Sequence, residues 1–242
     1  MTATASGSAT PAAPVLVGCS HGTDSVAGRA AIRSILDGVR AARPELDVRE
    51  AFVDVQQPEV ADVVAGATTA GCSAVVVPLL MSTGFHARVD IAAAVEGRRA
   101  AASRTLGPDD RLVQILLDRL RQAGAGAGDA VVLAAAGSSD PLAAAMVEQT
   151  LEALRRAWRD GPVTVGYGSA SLPRVADAVE QARRAGAARV VAASYLLAPG
   201  FFHDRVSAAG ADVVTAPLAP DPRLVEIVLD RYAEASALLP DA

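Results

Sequence analysis

The chain repeats itself, and the repeat limits its fold more than any other feature. The segment L-G-P-D-D-R-L-V-Q-I-L-L-D-R, beginning at Leu106, returns as L-A-P-D-P-R-L-V-E-I-V-L-D-R from Leu218. Pro58-Glu59-Val60-Ala61-Asp62 is echoed by Pro173-Arg174-Val175-Ala176-Asp177. Leu196 to Val206 sets without gaps on Leu79 to Val89, which pairs His203 with His86 and Arg205 with Arg88. The duplicated unit is roughly 110 to 120 residues, an ordinary domain size. The expected division is a disordered tail over 1–13, a first lobe over 14–123, a linker over 124–129 and a second lobe over 130–242. The glycines of Gly124-Ala125-Gly126-Ala127-Gly128 follow a helix and precede a strand. A dinucleotide-binding loop needs the reverse order, so this run is assigned to the linker.

Each half alternates strands with helices. Val15–Cys19, Val48–Val53 and the run from Val75 are short, apolar and rich in β-branched residues, as strands buried on both faces are. A short fourth strand is expected over Arg104–Leu106. Apolar residues at helical spacing mark the connections: Ile32, Ile35, Leu36 and Val39 after Ser25; Val60, Val63, Val64 and Ala67 after Pro58; a helix from Val89; and Leu112, Ile115, Leu116 and Leu120. Asp24 or Ser25 can cap the first helix. The second half runs through Val131–Leu133, a helix capped near Gly137-Ser138-Ser139-Asp140, and Val163–Tyr167. Alternation of this kind predicts parallel sheets with right-handed crossovers. The expected fold is α/β: two tandem, doubly wound parallel-sheet lobes facing a central cleft.

Composition removes several functions. Aromatic residues are 3% of the 242-residue chain and the formal charge is -5, a poor match to nucleic acid. All basic residues are arginine, and a polyanionic small ligand would need them clustered. No apolar run approaches the roughly 20 residues of a membrane helix. The N-terminus lacks the pattern of a signal peptide. Two cysteines, Cys19 and Cys72, suit a reducing compartment. These features predict a cytoplasmic protein with no nucleic-acid or membrane partner. Cys19, two residues before His21, reads as a buried structural thiol more readily than as a metal ligand.

The chain has three histidines: His21, His86 and His203. Each follows an apolar run, where loops leaving a parallel sheet line the ligand crevice. Asp54 ends the second strand. The first half thus brings His21, Asp54 and His86 to one rim, where the second half is expected to hold Gly137, Ser169 and His203. Two neutral imidazoles with open coordination positions suit a borderline divalent ion such as Fe2+, Co2+, Ni2+ or Zn2+. Asp54 is a third ligand or proton acceptor, or a turn or cap residue. Phosphate-cradling G-x-x-x-x-G-K, H-E-x-x-H and paired C-x-x-C motifs do not occur.

Ser20-His21-Gly22, Ala51-Phe52-Val53-Asp54 before Pro58, and Pro78-Leu79-Leu80 with Gly84-Phe85-His86 and Asp90-Ile91 resemble the sirohydrochlorin chelatases. These are the class II, ATP-independent group of the CbiX and SirB types. The resemblance runs from Val15 onward. It implies insertion of a divalent metal, Fe2+ for siroheme, into sirohydrochlorin, with His21 and His86 as metal ligands. The metal is a substrate, and neither a nucleotide nor an iron–sulfur cluster is implied. Co2+ insertion for cobalamin and a non-catalytic metal or tetrapyrrole carrier are the alternatives. The family often has glutamate where Asp54 stands, so the carboxylate here is one methylene shorter. The substrate carries many carboxylates, so Arg88 and Arg205 become candidate binding residues, against a reading as solvated helix-start residues. His203 either touches the substrate from the second lobe or is a relic of duplication. The chain is expected to be a monomer or homodimer.

Overall fold

The computed structural model describes residues 13–239, apart from the side chains of residues 85–87. The tail expected over 1–13 therefore lies outside the described residues, save Ala13. The first half runs β1 (Val15–Ser20), α1 (Val26–Ala42), β2 (Val48–Phe52), α2 (Val60–Thr69), β3 (Ala74–Pro78), α3 (Phe85–Val95), β4 (Ala100–Ala102) and α4 (Asp110–Gln122). The second half runs β5 (Ala130–Ala135), α5 (Pro141–Ala157), β6 (Val163–Tyr167), α6 (Val175–Arg184), β7 (Val190–Tyr195), α7 (Phe201–Ser207), β8 (Val213–Val214) and α8 (Pro222–Ser236). Two four-stranded sheets result, ordered β2-β1-β3-β4 and β6-β5-β7-β8, with every pairing parallel. The expected α/β tandem fold is what the chain adopts.

Alternation along the strands divides the core. Leu16, Val75 and Val77 face an inner layer with Val131, Leu133, Val191 and the apolar sides of α1, α4, α5 and α8. Val15, Val17 and Val76 face outward against α2 and α3, and Val132 and Ala192 against α6. The inner core is continuous between the lobes.

The two terminal helices are exchanged. α4, from the first half, packs on α5 and β7 of the second, while α8 packs on α1 and β3 of the first. The repeated L-x-P-D-x-R motif explains itself here. Arg231 on α8 is buried; its Nε donates to Thr105 O at 3.0 Å and its Nη2 to Leu106 O at 3.0 Å and Asp109 Oδ2 at 2.9 Å. Arg119 on α4 mirrors it, donating from Nε to Pro217 O at 3.0 Å and from Nη2 to Leu218 O at 3.0 Å. Arg111 pairs with Asp230 at 2.7 Å, and Arg223 with Asp118 at 2.8 Å. The best-preserved part of the repeat is thus the part that grips the other copy.

Three local expectations are corrected. The fourth strand is Ala100–Ala102, paired with Ala74–Val76, and not Arg104–Leu106, because Arg231 holds Thr105 and Leu106 in a buried loop. α3 starts at Phe85, not Val89; its cap, Gly84, makes no side-chain bond that the sequence could advertise. α2 starts at Val60, because Pro58 prolongs the sheet edge by accepting Phe52 N–H at 3.0 Å.

Candidate active site

The carboxyl ends of both sheets open onto one cleft of about 720 Å³ between the lobes. Its walls are the loops after β1, β3, β5 and β7. The first wall is set by a backbone contact. Gly22, at φ 92°, lies where a Cβ would collide with Asp54 O, so only glycine lets the loop after β1 cross the loop after β2. Gly137, at φ 87°, makes the same crossing against Ser169 O. The His-Gly pair is therefore a positioning device: the glycine seats the loop, and His21 is left exposed at the cleft wall.

His21 follows β1, the strand that pairs with both β2 and β3. His86 lies in the first turn of α3, after β3, and its side chain is outside the described residues. β1 and β3 are neighbours; His21 is the first residue after β1, and His86 stands eight residues past the end of β3, in α3. Asp54 ends the third neighbour, and Asp54 N–H donates to His21 O at 3.1 Å. Its carboxylate, however, is exposed, accepts Val55 N–H at 2.7 Å in its own turn, and does not line the cleft. Among the described residues no group of three His, Cys, Asp or Glu side chains could hold a metal ion. Cys19 is buried, and burial first, then the Asp90 charge, pushes its thiol up to about 12, so it stays protonated as a structural thiol.

The register of the repeat is corrected in two places. The bond Ser169 N–H to Ala136 O, 2.8 Å, repeats Asp54 N–H to His21 O, so Ala136 and not Gly137 occupies the position of His21. Gly200 caps α7 as Gly84 caps α3, and Asp204 N–H bonds Gly200 O at 2.9 Å as Arg88 N–H bonds Gly84 O. Phe202 therefore stands where His86 stands, and His203 and Arg205 fall one position beyond His86 and Arg88.

The three proposed substrate contacts are not among the described residues that line the cleft. His203 Nε2 is 3.2 Å from Thr215 O, on the sheet side of α7 and away from the cleft lining. The Arg205 guanidinium sits over the Phe201 ring, 5.4 Å from its centroid. Arg88 reaches across to Asp140, Nε to Oδ2 3.8 Å, joining α3 of one lobe to the cap of α5 in the other. No arginine is among the described residues that line the cleft; hydroxyls of Thr23, Ser82, Thr83, Ser138 and Ser171 supply its polar wall.

Sequence reasoning missed the aromatic floor. Tyr195 is buried beneath the cleft, where it accepts from Thr150 Oγ1 at 3.1 Å and donates to Met81 O at 3.4 Å. Burial pushes its phenol up to about 12, so it is a neutral donor tying the lobes together. Tyr167, Phe201 and Phe202 also line the space. Their one sequence signal was position, since each ends or follows a strand.

Tandem parallel-sheet lobes that meet at a cleft between their strand ends, with an imidazole in its wall, define an α/β chelatase-like protein. The chain belongs to the CbiX family, whose model matches residues 15–123 and again residues 130–235. Among solved structures it is similar to SirB from Bacillus subtilis with Fe3+, at TM-score 0.76 and 20% identity over 93% of this chain and 96% of that one. It is also similar to the sirohydrochlorin chelatase SirB from Bacillus subtilis subspecies spizizenii in complex with cobalt (TM-score 0.72, 21% identity, 94% and 97% covered). A third likeness is to CbiX, the terminal enzyme for biosynthesis of siroheme in denitrifying bacteria (TM-score 0.66, 19% identity, 91% and 99% covered). No curated protein matches the chain in sequence. No described helix is long and apolar enough to cross a membrane.

Proposed function

We propose that the protein is a sirohydrochlorin chelatase that inserts a divalent metal, Fe2+ by preference, into the metal-free tetrapyrrole without ATP. The observation that carries the reading is the family match of both repeats combined with His21 opening on the cleft between them. A volume of about 720 Å³ is ample for a large planar ligand. His21, just after β1, and His86, in the first turn of α3, are the ligands that present the ion to the ring. Insertion makes bonds from the metal to the ring nitrogens and releases two pyrrole protons. As the ion leaves, the freed imidazoles take them. The Asp54 carboxylate, bound in its own turn, holds the loop and stays out of the proton path. Hydroxyls on both walls, not arginines, meet the substrate carboxylates.

The preference for Fe2+ rests on likeness to the Fe3+-bearing SirB and to the CbiX described as a siroheme enzyme. The cobalt-bearing SirB makes Co2+ the competing ion. ATP independence is what the resemblance to the class II chelatases implies, and the chain carries no G-x-x-x-x-G-K motif. The test is anaerobic mixing of protein, sirohydrochlorin and either metal, followed by absorbance. A chelatase converts many equivalents faster than the metal-only blank. A carrier stops at one equivalent, and that result would replace this reading.

A further inference from the structure

The two lobes present different chemistry at matching positions. Where the first lobe carries His21 and His86, the second carries Ala136 and Phe202. Among the described residues lining the cleft, the first lobe supplies an imidazole and the second supplies no His, Cys, Asp or Glu. Aromatic residues are scarce, four Phe, three Tyr and one Trp, yet half of them line this cleft as Tyr167, Tyr195, Phe201 and Phe202. Phe201 and Phe202 form an edge-to-face pair, centroids 5.3 Å apart and planes at 79°. Phe201 is 64% exposed, a large apolar surface left uncovered at the cleft mouth. Leu196 and Leu197 continue this apolar wall.

The pair is also held in place. Gly200, at φ 143°, takes a backbone conformation that a side chain would strain, with Thr23 Oγ1 3.2 Å from where its Cβ would be. The turn before Phe201 is thus pressed against the opposite lobe. Arg205, one turn further along α7, lies over the Phe201 ring and restrains it.

We propose that the edge-to-face pair Phe201 and Phe202 supports one face of the macrocycle, one ring offering its face and the other its edge, so that the opposite face meets the ion held by the first lobe. This deepens the chelatase reading and rests on it. A planar conjugated ring gains from stacking on an aromatic side chain beyond the area it buries. The arrangement also fixes direction: metal arrives from the histidine lobe, and the phenylalanine lobe blocks attack from the other face. Duplication gives the molecule this asymmetry, because one copy of the rim keeps ligands and the other becomes a platform.

The test separates ring binding from metal insertion. Metal-free sirohydrochlorin is titrated into wild type, Phe201→Ala, Phe202→Ala, the double variant, Phe202→Leu and His21→Ala. Binding is read from the visible absorbance shift and from induced circular dichroism of the tetrapyrrole. Each alanine is expected to weaken binding about fivefold, and the double variant by more than tenfold. Leucine should restore only part, and the induced dichroism should fall with the aromatic rings. His21→Ala should bind the metal-free ring within about twofold of wild type while losing turnover. Phe201 is too exposed for its removal to unfold the chain, and thermal melts check the others. If wild type and the double variant bind equally, the platform is wrong and the chelatase reading stands. If wild type does not bind the ring at all, both are overturned.

Discussion

His21 shows how much a single residue can be asked to do. It is exposed, so His21→Ala should leave folding stability within about 0.5 kcal/mol of wild type. Metal turnover should fall by roughly a hundredfold or more, because one of the two proposed ligands is gone. Asp54→Asn should change turnover by less than about threefold, since an amide oxygen still caps the turn. A loss as large as that of His21→Ala would return Asp54 to the metal. Asp109 carries the acid sensitivity of the helix exchange. Burial alone would raise its carboxyl, but hydrogen bonds from Arg111 and Arg231 outweigh burial and hold it at about 2, below the ordinary 3.8. A depressed value in the fold means that this stability is present above the unfolded value and is lost as pH falls from 3.8 toward about 2. Urea midpoints measured across that window should fall less steeply for Asp109→Asn than for wild type.

At the scale of elements, strands were the easiest to read. β1, β3, β5 and β7 are continuous apolar runs ending in loops, and their parallel order follows from alternation with helices. β4 was misplaced because Ala100–Ala102 has neither β-branched residues nor a pattern, while Thr105 and Leu106 look like strand but serve as acceptors for Arg231. The site was legible through the histidines and less so through the register of the repeat. Matching His203 to His86 by identity hid Phe202, the residue that occupies that place. Only backbone caps at Gly84 and Gly200 reveal the shift. The helix exchange was invisible because an amphipathic stripe says that a helix is buried, not which sheet it covers. Its energetics are unequal. Arg231→Ala leaves the Thr105 and Leu106 carbonyls without their donor in a buried site, while Asp109 keeps Arg111, and should cost about 2 to 4 kcal/mol. Arg119→Ala, at a half-buried position, should cost about 1 to 2 kcal/mol. Denaturant titration of both variants checks the order; equal costs would contradict it.

At the scale of the whole molecule, the repeat is not two separable domains. Each sheet is covered by a terminal helix from the other half, and the inner core runs through both. The chain should therefore unfold in one transition. Residues 14–123 or 130–242 expressed alone should yield either an unfolded chain or a dimer trading its terminal helices, as circular dichroism and sedimentation would show. A folded monomer of either half would refute the exchange. Within the intact chain, the central claim is that His21 after β1 and His86 at the start of α3 hold one ion at the wall of the cleft. X-ray absorption at the cobalt edge, on protein loaded with one equivalent of Co2+, tests it most directly. Two imidazoles in the coordination shell, falling to one in His21→Ala, is the predicted result; a shell unchanged by that substitution would contradict the account.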